Sequence, residues 1–267
     1  MTRLEVPGRS DIVGIRADNP GPFTLSGTNS WIVGAGPAWV VDPGPARPEH
    51  VEALTAELER RGGLGGIALT HDHADHTEAV PELRARFPGA PVAAVRGQVE
   101  IRLDEGTVVG PLVTVRTPGH APDHVAFVTG TAAMTGDAVL GEGSVFIFPG
   151  PGSLAGYLSG LERLRALGLE VLCPGHGPLV VDPEAKLAGY IEHRLDRERR
   201  LIAALDGGKR TVDELLDEVW DDAPEVLRPA AAVTLAAHLD KLAEERRLPD
   251  SVERPAGWSG RTDPDPD

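Results

Sequence analysis

Six consecutive residues, His71-Asp72-His73-Ala74-Asp75-His76, set three imidazoles and two carboxylates side by side, directly after the apolar run Gly66-Ile67-Ala68-Leu69-Thr70. The run reads as a short buried strand, so the polar cluster is predicted to emerge at the strand's end and on the loop beyond it. In an extended segment residues i and i+2 share one face, so His71 and His73 can point at one metal ion. Asp75 and His76 come after the turn and can reach a second ion. The bland reading, a solvated polar loop, is tested by what lies downstream.

Three later segments repeat the pattern of a small-residue turn at a predicted strand end. Thr117-Pro118-Gly119-His120 follows the run 112–116, Thr135-Gly136-Asp137 follows 132–134, and Pro174-Gly175-His176 follows 169–173. The candidate metal ligands are therefore His71, His73, Asp75, His76, His120, Asp137 and His176. A catalytic zinc takes three protein ligands and keeps a position for water, so this set is too large for one ion and suits two. The expected division places His71, His73 and His120 on one ion and Asp75, His76 and His176 on the other, with Asp137 bridging. Mixed imidazole and carboxylate favours Zn, with Mn or Fe as alternatives, over Ca or Mg. His124 exceeds the count and begins a strand, so it reads as outer support for a ligand.

Around these motifs the periodicities alternate. Residues 22–42 read as two or three antiparallel strands, 48–61 as an amphipathic helix, and 77–87 as a helix stopped by Pro88-Gly89. Short β runs follow at 91–95, 107–109, 112–116, 124–129 and 132–135, then a helix at 153–166 and a strand at 169–173. Sheets followed by helices, twice over, suggest two β-layers between helices. Asp182-Pro183 can cap a long helix to about 206, and Thr211 to Glu214 fits a capping box. A last helix at 229–247 carries a stripe of Ala232, Leu235, Leu239 and Leu242, which reads as core or as the face of a possible homodimer. The expected domains are 1–182, 183–250 (all-helical, or winged-helix-like with a weak wing) and a polar, Pro-rich tail at 251–267 expected to be disordered.

The order HxHxDH, TPGH, TGD, PGHG resembles the metallo-β-lactamase superfamily over roughly residues 20–182. Gly27-Thr28-Asn29 and the helix Gly189 to Glu198 resemble, more narrowly, the beta-lactamase-like protein 2 group, which carries a C-terminal winged-helix-like domain and includes endoribonucleases. The resemblance implies an α/β fold, an αββα sandwich with a binuclear site at one edge between the sheets, and hydrolysis by a metal-bridging hydroxide. Two cations about 3.5–4 Å apart lower the pKa of a shared water and polarise the scissile group. Asp75 can also hold the hydroxide's proton and orient it. Asp42, in Val41-Asp42-Pro43-Gly44, resembles a family turn whose acid buttresses the metal loop; a plain turn carboxylate is the alternative.

Composition narrows the substrate. The chain has 267 residues and a formal net charge of -15, with three lysines against twenty-three arginines. Such acidity disfavours a broad nucleic-acid footprint, although the arginines of 194–200 could form a local anchor. Arg194, directly beyond the His176 loop, is the candidate for meeting a substrate anion; the solvated helix face is its alternative. The leading expectation is a phosphodiester, endoribonuclease-like activity on single-stranded RNA. The second is a thioester or small-ester hydrolase resembling glyoxalase II, although no Lys or Arg stands between Thr117 and Glu162 to grip glutathione. The third is a non-catalytic binding protein stapled by metal. The apolar loop Val145 to Pro151 reads either as a wall over the metals or as buried core. His50 and His238 read as surface residues, and the lone Cys173 as a buried strand residue. No basic-then-apolar leader and no run of roughly 20 apolar residues is present, so the expectation is a cytoplasmic protein with no membrane partner.

Overall fold

The computed structural model describes residues 1–255. Two sheets pack face to face with helices outside each. The first sheet runs in chain order: β1 (Thr2–Glu5), β2 (Ile12–Arg16), β3 (Asn29–Val33), β4 (Ala38–Val41), β5 (Leu64–Ala68), β6 (Val92–Ala94) and β7 (Ile101–Arg102). Its first four strands are antiparallel. From β4 onward the pairing is parallel, because helix α1 (Pro48–Arg60) provides the crossover to β5. The second sheet, in the order β12-β11-β10-β9-β8, comprises β8 (Val108–Val109), β9 (Leu112–Arg116), β10 (Val125–Thr129), β11 (Ala132–Gly136) and β12 (Val171–Pro174).

Three apolar layers follow from this stacking. Trp31, Val41, Phe127, Met134 and the free Cys173 lie between the sheets. Leu54, Leu58 and Leu83 seat α1 and α3 (Val80–Arg86) on the outer face of the first sheet. Tyr157, Leu161 and Leu187 seat α4 (Ser153–Ala166) and α5 (Pro183–Asp206) on the second. The result is the αββα sandwich, whose strand ends at one edge carry the ligand loops.

Helix α5 starts as its sequence dictates: Asp182 accepts from the Ala185 N–H at 3.0 Å, and Pro183 occupies the first turn. Its later residues Leu201 and Leu205 enter a fourth core with α6 (Val212–Val219) and α7 (Arg228–Glu244), so one helix serves both bodies. The capping box of α6 is formed by Thr211 and Glu214. Among the described residues the elements of the C-terminal part are helical, and the Glu253 N–H bonds the Arg210 carbonyl at 2.8 Å. The stripe of Leu235, Leu239 and Leu242 is used inside this core. Most of the tail 251–267 lies outside the described residues.

Several local expectations change. The helix expected at 77–87 is two pieces, α2 (Ala74–Thr77) and α3, because Pro81 cannot donate and starts a new helix. Asp75 and His76 consequently sit in a helical turn rather than a loop. His50 and His238 are fully buried, not superficial. His50 is drawn in by Ser30, whose Oγ lies 2.9 Å from its Nε2, and His238 packs against the Trp220 ring at 5.8 Å.

Candidate metal centre

Four loops converge at one edge of the sandwich. The β5–α2 loop and α2 bring His71, His73, Asp75 and His76; the β9–β10 loop brings His120; the end of β11 brings Asp137; the end of β12 brings His176. Ligand-capable atoms of His71, His73, His120 and Asp137 lie within 4.8 Å of one another, as do those of Asp75, His76 and His176. Asp137 touches both groups: its Oδ1 is 3.6 Å from His76 Nε2, and its Oδ2 is 3.3 Å from His176 Nε2 and 3.6 Å from His120 Nε2.

The surroundings decide which ring nitrogens face inward. Asp42 accepts from the Thr70 N–H at 2.8 Å, from the Thr70 hydroxyl at 2.7 Å and from His76 Nδ1 at 3.0 Å. With its proton given to Asp42, Thr70 Oγ1 accepts from His71 Nδ1 at 2.9 Å. In the neutral tautomers that these contacts select, both Nε2 atoms carry lone pairs directed at the cluster. His71 Nε2, His76 Nε2 and Asp137 Oδ1 are buried with no hydrogen-bond partner in the protein. Orphaned acceptors that converge are costly unless a cation joins them, so the donor set fits divalent ions. Asp42 is thus a buttress and not a mere turn residue.

Two more residues hold the shell. His124 Nε2 accepts from the Asp137 N–H at 3.0 Å, while its Nδ1 meets Thr117 Oγ1 at 2.8 Å. Thr28 donates its hydroxyl to Asp75 Oδ2 at 2.8 Å. The Thr28 contact was absent from the residue-by-residue reading; the Gly27-Thr28-Asn29 motif was its signal. Asn29 explains the rest of that motif, since its side-chain amide donates to the carbonyls of Pro174 and Gly177 at 3.0 Å and fixes the His176 loop.

Electrostatics favour positive charge at His76, where Asp137 and Asp42 outweigh burial and raise the imidazole well above its ordinary range, and neutral rings at the neighbouring histidines. Burial pushes His71 and His124 well below the ordinary imidazole range and His120 down to about 4, so their lone pairs stay available. Burial alone would raise Asp137, but the imidazoles of His76 and His176 outweigh it and hold the carboxyl well below its usual range. Gly175 is required by space: a Cβ there would meet Asp137 Oδ1 at 2.5 Å and His76 Cε1 at 2.8 Å.

A cavity of about 380 Å³ opens on the cluster, between the sandwich and the helical domain. The loop after β11 alternates around it. Val145 and Ile147 are core, whereas the Phe146 ring lies 5.0 Å from His120 and the Phe148 ring 6.3 Å from His73, so both readings of that loop hold, residue by residue. Arg194 is buried and donates to the Val145 carbonyl while lining the cavity.

Comparison with known proteins agrees with the geometry. Residues 23–106 match the family model described as the metallo-beta-lactamase superfamily, and 211–258 match the beta-lactamase associated winged helix domain. A lactamase-like protein of Penicillium aethiopicum is 37% identical over 257 residues, covering 89% of this chain and 82% of the relative. The chain belongs to the metallo-β-lactamase superfamily. Other members similar to it include one of Aspergillus chevalieri named atrochrysone carboxyl ACP thioesterase, 35% identical over 89% of this chain and 82% of that protein. A beta-lactamase-like protein 2 homolog of Caenorhabditis elegans is 30% identical over 88% of this chain and 84% of the relative. Among solved structures, a metallo-beta-lactamase family protein of Thermus thermophilus superposes with a TM-score of 0.66 at 26% identity, over 88% of this chain and 94% of that one. Another, described as a di-iron-bound form, superposes at 0.51 with 28% identity, over 65% of this chain and 98% of that one. Superfamily membership makes the chain hydrolase-like, and its His and Asp cluster suits divalent metals. No helix among the described residues is long and apolar enough to cross a membrane.

Proposed function

We propose that this chain is a metal-dependent hydrolase of thioesters, with zinc as its ion. The observation that carries the reading is the cavity beside the ligand cluster, walled chiefly by apolar side chains. Arg197 grips Asp222 at 2.6 and 2.7 Å and also bonds the Val219 carbonyl, and Arg194 donates one Nη to the Val145 carbonyl. A polynucleotide needs cationic phosphate contacts, and here Glu142 and Asp222 line the approach instead. The thioesterase name of the Aspergillus relative supports the same substrate class.

When bound, a divalent pair supplies a nucleophilic water near neutral pH and draws charge from the carbonyl oxygen. The chain's residues do the rest. Asp42 and Thr70 fix the tautomers of His71 and His76, and His124 orients Asp137. Thr28 donates to Asp75 Oδ2, the oxygen 3.5 Å from His76 Nε2 and 3.4 Å from His176 Nε2, and so aims this carboxylate at the ligand group, where it would accept the proton of the attacking water. Phe146 and Phe148 shield His120 and His73 from bulk water. The acyl group lies in the cavity and the thiol departs on the open side.

A panel tests this: zinc-loaded protein with N-acetylcysteamine thioesters, S-lactoylglutathione, single-stranded RNA and a model phosphodiester. Turnover of the thioesters, lost in His73→Ala with retained fold, is the expected result. Cleavage of RNA or the phosphodiester without thioester turnover would replace this reading by the endoribonuclease-like one. Retained thioester turnover in His73→Ala would remove the metal cluster from the chemistry.

A further inference from the structure

We infer that Arg194 is the recognition point for a carboxylate carried by the acyl group, so that the preferred substrates are monothioesters of dicarboxylic acids. The inference rests on the thioester reading and adds to it the acyl class and the residue that selects it.

Three arginines are buried among the described residues, Arg61, Arg194 and Arg197, and two of them are matched by an acid. Glu57 meets Arg61 at 2.7 Å, and Asp222 meets Arg197 at 2.6 Å. Arg194 is 2% exposed, yet among the described residues no carboxylate pairs with it. One Nη donates to the Val145 carbonyl, the centre of the Tyr157 ring lies 5.7 Å from Cζ, and Nε is buried with no partner. A carbonyl and a ring face offset part of the cost of burying a cation but leave its charge unmatched. Asp222, an acid of the same lining, is held through both oxygens by Arg197.

Arg194 also lines the cavity that opens on the metal ligands, so a ligand can supply the missing counter-charge. His193 beside it reports the local potential: burial, then the guanidiniums of Arg194 and Arg197, push its imidazole down to about 4. The rest of the lining defines the occupant. Leu140, Val145, Phe146 and Leu227 face the same space and suit a methylene stem. One unmatched cation with Glu142 and Asp222 in the same wall suits a monoanion, whereas a phosphate dianion would meet the repulsion of both acids. A planar carboxylate also matches the fork of a guanidinium. The occupant is therefore bifunctional, with its thioester at the ligand cluster and its free carboxylate on Arg194.

The test uses the zinc-loaded full chain with N-acetylcysteamine thioesters of adipate and of 6-methylheptanoate, in which an isopropyl group replaces the carboxylate. Hexanoyl thioesters of N-acetylcysteamine and of glutathione place carboxylates on the thiol instead. Wild type should prefer adipyl to 6-methylheptanoyl by about tenfold to a hundredfold in kcat/KM, and Arg194→Met should bring that ratio to about one. Calorimetric affinity for N-butyladipamate, whose amide stands in for the thioester, should fall about tenfold or more in the same variant. Arg194→Lys keeps the charge without the fork, should give an intermediate ratio, and serves if the Met variant does not fold. An unchanged ratio or an unchanged adipamate affinity in a folded variant would overturn the assignment of Arg194. A wild type that turns over both acyl groups equally, or that discriminates only between the two thiols, overturns the acyl-borne carboxylate and leaves the thioesterase reading intact. A wild type that hydrolyses none of the thioesters overturns that reading, and this one with it.

Discussion

Replacing Asp42 by Asn isolates a single buried charge that serves both halves of the ligand cluster. The backbone does not confound the change: Asp42 has φ +51°, and Asn tolerates the left-handed region well. The carboxylate receives three donors, two from Thr70 and one from His76. An amide offers one oxygen and one NH₂, so a conflict arises whichever way it is turned. With its oxygen toward the Thr70 hydroxyl and His76, the NH₂ faces the Thr70 N–H, donor against donor. With the amide reversed, Thr70 must accept from it and give its own proton to His71 Nδ1, which moves the His71 proton to Nε2. His76 must likewise accept at Nδ1 and carry its proton on Nε2. Either way a buried hydrogen bond to a charged group is lost, a cost of about 1.5–3 kcal/mol. Loss of such an outer partner lowers metal affinity about 10–100-fold, and here His71 and His76 lie in different ligand groups, so both ions should be affected. Competition with a chromophoric chelator measures the affinities, and circular dichroism checks the fold. A folded Asp42→Asn protein that binds both ions as tightly as wild type would refute the tautomer argument.

Gly175→Ala should also weaken metal binding, because its Cβ would press on Asp137 and His76; the readout is metal content after gel filtration, and full retention at both sites would contradict the steric account. Glu57→Gln should destabilise the chain by about 3 kcal/mol, since it leaves the buried Arg61 without its counter-ion; urea unfolding measures this. Burial would raise Glu57, but hydrogen bonds from Arg60, Arg3 and Arg61 outweigh it and hold the carboxyl down to about 2, so its contribution is present above pH 4.5 and fades as pH falls toward 2. His238 has the opposite character: burial lowers it from 6.5 to about 3, so the unfolded chain takes up its proton first and stability falls with pH between those values. His238→Phe should remove about 1.4 kcal/mol per pH unit of that decline, read from urea midpoints at pH 7 and pH 5.

The ligand loops are legible in the sequence because the first gathers four ligands directly after a strand and the other three each end a strand with Gly or Pro beside one strong donor. The first two strands are not. β2 is buried on nearly every residue and β1 is an exposed edge, so neither shows the alternation that marks a half-buried strand. His238 escaped for a related reason, whereas Arg194, singled out for its place after the His176 loop, does line the cavity. A charged or titratable residue on a helix reads as solvated, yet α5 and α7 are each covered on more than one side, and only the tertiary packing reveals it. Likewise Thr28 lies far along the chain from Asp75, and only the pairing of β3, β4 and β5 within the first sheet brings the two together.

The 24 residues of α5 belong at once to the layer under the second sheet and to the helical core. Cutting the chain at any point along this rod would deprive both bodies of a packing partner, so catalysis and substrate choice cannot be inherited separately. Grafting a different C-terminal region onto this scaffold would require transplanting the rod whole, from Asp182 onward.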